Sequence, residues 1–147
     1  MNISTDVNYN KKVVKAILGS DDIVFFDFEL GKTSALCVYV DSITDKELLG
    51  LEVLAPLKKL CSEKSAAKTS ISHIAKAITL ANVKSESKIS DATNDILSGN
   101  AIIFINGKNK AISVDLKKFE VRAISEPPTG LAVRGPRNGF TESIKSN

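Results

Sequence analysis

The sequence predicts an α+β fold: a small mixed or antiparallel sheet built from two hairpins, covered by about four short helices, with a Pro/Gly-rich C-terminal strap. Two pairs of short strand-like segments, each pair joined by a turn that contains glycine, indicate the hairpins. Apolar residues at helical spacing indicate the helices, which we expect on one side of the sheet. Three of the four prolines lie in residues 125–147, so this strap is neither regular helix nor central strand.

The N-terminal part predicts a helix followed by the first hairpin. Residues 6–20 carry an imperfect apolar stripe, and Gly19 lies where a C-terminal cap is expected. Residues 22–30 alternate between apolar and polar, and the short β-branched segment 35–40 follows a turn at Gly31-Lys32. The pair is therefore predicted to be an antiparallel hairpin.

The next segment predicts a helix with a capping box. Thr44 and Glu47 have the spacing with which the hydroxyl and the carboxylate bond each other's backbone amides. Pro56 ends or kinks this helix, or begins another helical piece through Leu60. The residues expected to face the core are Leu48, Leu51 and Leu54 or Ala55.

The middle of the chain alternates weak and clear signals. Residues 62–70 are rich in Ser, Lys and Ala without a stripe and predict a mobile connection, whereas 71–78 predict a short helix. Residues 83–89 predict a thin strand. Ser90 is the expected N-cap of a helix over 91–98, which Gly99 closes.

The second hairpin is the clearest local signal. Segments 101–105 and 111–116 flank a turn around Asn106-Gly107, which is a typical hairpin turn. Ile112, Val114 and Leu116 are predicted to share one face of the second strand, with Ser113 and Asp115 on the opposite face. The elements together define a lobe over residues 1–124, followed by the strap.

Composition excludes several classes of protein. The net charge of +3 comes from scattered basic residues interleaved with acids, and there is no Trp, so nucleic-acid binding is not expected. No apolar stretch approaches the roughly 18 residues of a membrane span. The N-terminus lacks the basic and apolar regions of a signal peptide. The chain by itself is expected to be soluble and intracellular.

No catalytic constellation is present, so we expect neither an enzyme nor a cofactor or metal site. The glycines are spread singly through turns, and His73 is the sole histidine, expected to be structural at or near the surface. Cys37 and Cys61 are predicted to be buried thiols, with a disulfide as the alternative.

The strap carries the most specific pattern, Val-Arg-Gly-Pro-Arg-Asn-Gly-Phe over residues 133–140. Arg134 and Arg137 flank a stiff Gly135-Pro136 corner, and a guanidinium offers a planar set of donors to a carboxylate or phosphate. Phe140 is expected to anchor the strap. The arginines can bind Glu126 or Glu142 of the same chain, or an acid on a partner.

This pattern resembles the segment Glu-Pro-x-x-Glu-x-x-Val-Arg-Gly-Pro-Arg-[Glu/Asp]-Gly-Phe-x-Glu of A subunits in the GerA family of spore germinant receptors. Gly130 and Asn138 stand where the family has acids, which leaves Arg134 and Arg137 freer to seek a partner. The matching residues are Glu126, Pro127, Val133, Arg134, Gly135, Pro136, Arg137, Gly139, Phe140 and Glu142.

The resemblance implies the first lobe of a soluble N-terminal region, with a second lobe and a membrane domain absent from this chain. Such A subunits assemble with B and C subunits and with other A subunits in the spore inner membrane, which their C-terminal part spans. The N-terminal region is expected on the cytoplasmic, spore-core side. The receptor responds to nutrients such as amino acids, sugars or nucleosides.

Three hypotheses about function follow. In the first, the domain acts in receptor assembly and signalling, and the matching strap residues contact the second lobe or neighbouring subunits. In the second, the domain forms half of a cleft that binds a small nutrient germinant. In the third, it is an unrelated enzyme or nucleic-acid binder, which the missing catalytic residues and the weak basicity argue against. The first is preferred.

Overall fold

Helices enclose both faces of a five-stranded antiparallel sheet in the computed structural model, which describes residues 1–80 and 82–118. The strand order is β1-β2-β4-β5-β3. The elements are α1 (Val7–Ile17), β1 (Ile23–Leu30), β2 (Thr33–Val40), α2 (Lys46–Leu49), a π-helical segment (Gly50–Leu54), α3 (Ala55–Glu63), a 3-10 turn (Ala66–Lys68), α4 (Ile71–Ala75), β3 (Val83–Glu86), α5 (Ile89–Leu97), β4 (Asn100–Ile105) and β5 (Ala111–Asp115). The α+β class and the antiparallel sheet are confirmed.

The sheet has two buried faces, so the expectation that helices cover one side is wrong. Residues such as Ile103 on one face pack with side chains of α2, α3 and α4. Residues such as Phe104 on the opposite face pack with α1 and α5. The physical reason lies in β4, whose six residues are all buried and whose apolar run 101–105 has no polar side. A central strand of this kind requires cover on both faces.

The first helix and hairpin form as predicted. The side chain of Asp6 caps α1 by accepting hydrogen bonds from the N–H groups of Asn8 and Tyr9. The helix ends at Ile17, two residues before the predicted glycine cap. β1 pairs with β2 along eight residues, and Gly31, with φ of 65°, makes the turn between them.

At α2 a simple N-cap one residue later replaces the predicted capping box of Thr44 and Glu47. Asp45 is the N-cap, and its carboxylate accepts from the N–H of Leu48. Thr44 is instead fully buried, and its hydroxyl donates to the carbonyl of Gly99 at 3.0 Å. The hydroxyl therefore bonds the connection between α5 and β4 and does not cap α2.

The core-facing stripe of α2 and α3 also differs from the prediction. Leu51 is 65% exposed, whereas the buried residues recur at every fourth position: Leu49, Val53, Leu57 and Cys61. The π-helical segment continues directly into α3, where Pro56 occupies the first turn. Pro56 therefore does not end the helix as predicted, and the piece predicted to begin at Pro56 and to run through Leu60 is instead α3, from Ala55 to Glu63.

The remaining connections are more ordered than the sequence indicates. Within 62–70, Ala66 is buried and begins a 3-10 turn, so the predicted mobile connection is wrong. α4 begins at Ile71, and the thin strand β3 pairs with β5. α5 begins at Ile89 with Lys88 at the N-cap position, two residues before the predicted cap at Ser90.

The division between the lobe and the strap stays a prediction, because residues 119–147 lie outside the described part of the chain. Across the described ranges, no helix combines the length and the apolar character that a membrane crossing requires.

Candidate functional site

The strap residues that carry the motif lie outside the described residues. The predicted site therefore stays a prediction for each of its members: Glu126, Pro127, Arg134, Gly135, Pro136, Arg137, Gly139, Phe140 and Glu142. The candidate site within residues 1–118 is a different one, a polar cleft at the β3 edge of the sheet.

The cleft lies where β3, the C-terminal half of α5 and the two central strands β4 and β5 meet. Its volume is about 460 Å³. Three of its lining side chains are charged, and the others include amides and a hydroxyl. The lining residues are Asn82, Val83, Lys84, Asp95, Ser98, Asn100 and Asp115.

An ion-pair cluster closes one side of the cleft. The Lys84 ammonium lies 3.4 Å from Oε2 of Glu86 and 3.5 Å from Oδ1 of Asp95. The two carboxylates are largely buried, whereas the Lys84 side chain is 59% exposed. One accessible cation thus bridges two shielded acids from different elements, β3 and α5.

The Asp95 carboxylate shifts the pKa values of its two charged neighbours. The pKa of Glu86 is raised, first by a side-chain hydrogen bond with Asp95, then by burial and by the negative charge of Asp95. The pKa of Lys84 is raised chiefly by the Asp95 carboxylate and by its contact with Glu86. This corner of the cleft therefore favours the protonated form of the Glu86 carboxyl.

A buried polar chain supports the cleft from beneath. The side-chain amide of Asn100 donates to the Ser113 hydroxyl at 3.0 Å, and that hydroxyl donates to Oδ2 of Asp95 at 3.0 Å. Ser113 is fully buried and Asn100 nearly so. Because each group has a partner, the chain holds the Asp95 carboxylate in one position.

The cleft can bind a small polar molecule with charges of both signs. Asp95 and Asp115 offer acceptors for an ammonium or hydroxyl group, and Lys84 offers a donor for an anionic group. Among residues 1–80 and 82–118 there is no group of three or more His, Cys, Asp or Glu side chains that could hold a metal ion.

The two thiols lie away from the cleft and are not activated. Both Cys37 and Cys61 are free and buried, which confirms the prediction of thiols over the disulfide. Burial raises the pKa of Cys37 to about 12 and also raises the pKa of Cys61. Neither provides a thiolate nucleophile at neutral pH. His73, on α4, is exposed, as expected for a structural surface histidine.

The sequence analysis missed every charged member of the cleft. Lys84 and Glu86 belong to the weakly predicted strand β3, Asp95 lies in the next element, α5, and none of the three forms a motif. Ser113 offered a signal, because it is a polar residue within the apolar strand β5. The alternation of residues 111–116 predicts that Ser113 lies on a polar face of β5. In the structure α5 covers that face, and the Ser113 hydroxyl is buried.

Comparison with protein families matches most of the chain to one family. Residues 10–147 match the Bacillus/Clostridium GerA spore germination protein family.

Two proteins of Bacillus subtilis (strain 168) are similar in sequence to most or all of this chain. Spore germination protein B1 is 29% identical over 151 residues, covering 100% of this chain and 31% of that protein. The uncharacterized membrane protein YfkQ is 32% identical over 133 residues, covering 88% of this chain and 25% of that protein. The chain therefore spans about a quarter to a third of the length of the curated relatives it matches.

A solved structure shares the fold. The N-terminal domain of the A subunit of the Bacillus megaterium spore germinant receptor GerK3 superposes with a TM-score of 0.57 at 13% identity. The match covers 78% of this chain and 95% of the GerK3 chain. At this identity, the likeness concerns the fold.

Proposed function

This chain belongs to the GerA spore germination protein family, and we propose that it is the first lobe of a receptor A subunit's N-terminal region, acting in receptor assembly and signal transduction. The observation that carries the proposal is the family match over residues 10–147, together with the fold shared with the GerK3 A-subunit domain. The proposed role is non-enzymatic and leads to spore germination.

The proposed partners are the B and C receptor subunits and other A subunits. The full-length protein is proposed to lie in the spore inner membrane, with this domain on the cytoplasmic, core side. Support comes from the relatives, of which this chain spans only a part: one is named a spore germination protein and another a membrane protein.

The strap arginines are the proposed contact with the partners. In spores that carry Arg134→Ala and Arg137→Ala in the full-length receptor, we expect slower nutrient-triggered germination at unchanged receptor abundance. The matched control is Lys12→Ala with Lys59→Ala, which removes the same amount of charge from two exposed positions of α1 and α3. Wild-type germination of the arginine variant at normal receptor levels would contradict the proposed role of the strap.

A second candidate function is half of a small-molecule germinant cleft between two lobes. The observation that favours it is the polar cleft, in which Lys84 and Asp95 present opposite charges to one small volume. The assembly role predicts that this chain binds amino acids, sugars or nucleosides weakly or not at all in titration calorimetry. Saturable micromolar binding that Asp95→Asn removes would favour the cleft function instead.

A further inference from the structure

We propose that the outer edge of β1 is a docking site for an extended segment of a partner protein, in which apolar residues alternate with basic ones. This inference deepens the proposed assembly role by naming a surface for it, and it is independent of the polar cleft.

β1 is a long and regular sheet edge. It has eight residues, all paired with β2, and it lies at the end of the strand order. In the described part of the chain, no strand pairs with its other side. The opposite edge, β3, has four residues and carries the charged side chains of Lys84 and Glu86. Both edges carry charged side chains, so the difference between them is length: a short edge strand discourages strand addition, whereas a long one invites it.

The backbone of β1 presents a defined set of hydrogen-bonding groups. Asp41 donates its N–H to the carbonyl of Asp22 at 2.8 Å, and the pair continues the register of Ile23 opposite Val40. Bonded and non-bonded pairs alternate in an antiparallel ladder. Every second residue from Asp22 therefore bonds β2, and the N–H and C=O groups of Phe25, Asp27 and Glu29 point outward.

These outward groups specify an extended partner. The N–H of Ile23, which also points outward, donates to the carbonyl of Ser20 at 3.2 Å. For Phe25, Asp27 and Glu29, no backbone hydrogen bond beyond the ladder occurs among residues 1–80 and 82–118. Three pairs of donors and acceptors at a two-residue spacing match the backbone of another β-strand.

The side chains at this edge differ between the two faces. On one face, Phe26 is 41% exposed and stacks on Phe28 with ring centroids 5.7 Å apart, and Val24 is half-buried beside them. An apolar side chain on an added strand would cover Phe26, as cross-strand aromatic and aliphatic pairs do.

The other face of the edge carries charges of both signs, because Lys15 of α1 lies 5.3 Å above the Phe25 ring on the same face as two acids of β1. Asp27 and Glu29 are both exposed there, and Lys11 binds Asp27 at 2.7 Å. No salt bridge in the described ranges involves Glu29. A basic residue on the incoming segment complements this carboxylate. A second copy of β1 would instead add two further carboxylates to the same seam, which is unfavourable.

Amide hydrogen exchange of the 147-residue chain tests the proposal with a synthetic octapeptide that alternates valine and lysine. We expect the N–H groups of Phe25, Asp27 and Glu29 to exchange slower by about tenfold or more when the peptide is bound. The N–H groups of β3 should not change. An octapeptide that alternates valine and glutamate should have no effect.

A matched pair of variants isolates the backbone contribution. Glu29→Pro removes an outward N–H without touching the β2 ladder, whereas Glu29→Ala removes only the side chain. We expect the proline variant to lose peptide protection and the alanine variant to weaken it, with folding checked by thermal unfolding. Phe26→Ser, which leaves the backbone unchanged, should also weaken protection.

Several results would overturn the proposal: no protection at saturating peptide, equal protection by the acidic peptide, or protection without peptide in the chain alone. Concentration-dependent protection would identify a second copy as the occupant. Spore germination separates this inference from the function above. If the peptide protects β1 but Glu29→Pro spores germinate normally, the edge is not used in assembly. The proposed function is tested separately, by the germination of the arginine variants.

Discussion

The buried hydroxyl of Ser113, in the middle of β5, donates a hydrogen bond to the Asp95 carboxylate of α5 at 3.0 Å. Ser113 also accepts from the side-chain amide of Asn100. The Ser113 hydroxyl oxygen thus links Asn100 of β4 to the Asp95 carboxylate of α5. The Asp95 carboxylate also forms an ion pair with Lys84 of β3. Its position therefore depends on β5, β4 and β3 together.

Ser113→Ala should therefore destabilise the chain more than its small change in volume indicates. The substitution leaves the amide of Asn100 and one oxygen of Asp95 without a partner, and an unsatisfied buried group costs about 1–3 kcal/mol. The free energy of unfolding in urea measures the effect. The control is Ser98→Ala, because Ser98 is exposed at the same cleft. Equal effects of the two substitutions would contradict the role of the buried chain.

Glu86 predicts a pH dependence of stability. Because its pKa in the folded chain is raised, chiefly by the hydrogen bond with Asp95, folding favours the protonated carboxyl. The stability that this group contributes is present in full below its unfolded pKa, and it is lost as the pH rises through the folded pKa. Lys84 and Asp95 are the charged groups that face it.

Glu86→Gln should remove this dependence, because glutamine keeps a neutral side chain at every pH. We expect the stability of wild type relative to the variant to fall as the pH rises above 4.5, the ordinary pKa of a glutamate carboxyl. Urea unfolding across the weakly acidic range measures it. The exposed Glu63→Gln provides the control. Parallel stability curves for Glu86→Gln and wild type would contradict the raised pKa of Glu86.

Local signals predicted the elements well because each depends on neighbours in sequence. The hairpin turns need a residue with positive φ, and Gly31 and Gly107 supply it. The continuous apolar run of 101–105 needs burial, which it finds at the centre of the sheet. Both requirements are visible in short segments of the chain.

The failures share a different cause, packing between elements that a short segment of sequence does not show. Thr44 has good local capping chemistry, but its hydroxyl bonds Gly99, and Asp45 replaces it. Leu51 fits a helical stripe, but the π-helical segment and α3 bury Leu49 and Val53 instead. The cleft was missed for the same reason, because its acids and its lysine meet only when α5 packs beside β3.

Gly31→Ala should be strongly destabilising. At φ of 65° an L side chain is strained by about 1–2 kcal/mol, and a Cβ at this position would lie 2.9 Å from the carbonyl oxygen of Cys61. Because that oxygen belongs to the backbone of α3, relief requires moving the helix away from the hairpin. Gly107→Ala is the matched control, since Gly107 has φ of 91° but open space for a Cβ. The denaturant midpoint should fall further for Gly31→Ala; equal shifts would contradict the close approach of α3.

The two thiols should resist modification in the folded chain and react fully once it unfolds. A thiol reacts as the thiolate, and burial raises the pKa of Cys37 to about 12 and that of Cys61 in the same direction. Cys61 retains 6% exposure whereas Cys37 has none, so Cys61 should react first. A colorimetric thiol titration without reductant, before and after denaturation, measures this, with Cys61→Ser to assign the faster group. Fewer than two thiols in the denatured wild type would show that a disulfide joins the cysteines, against the free, buried thiols of this fold.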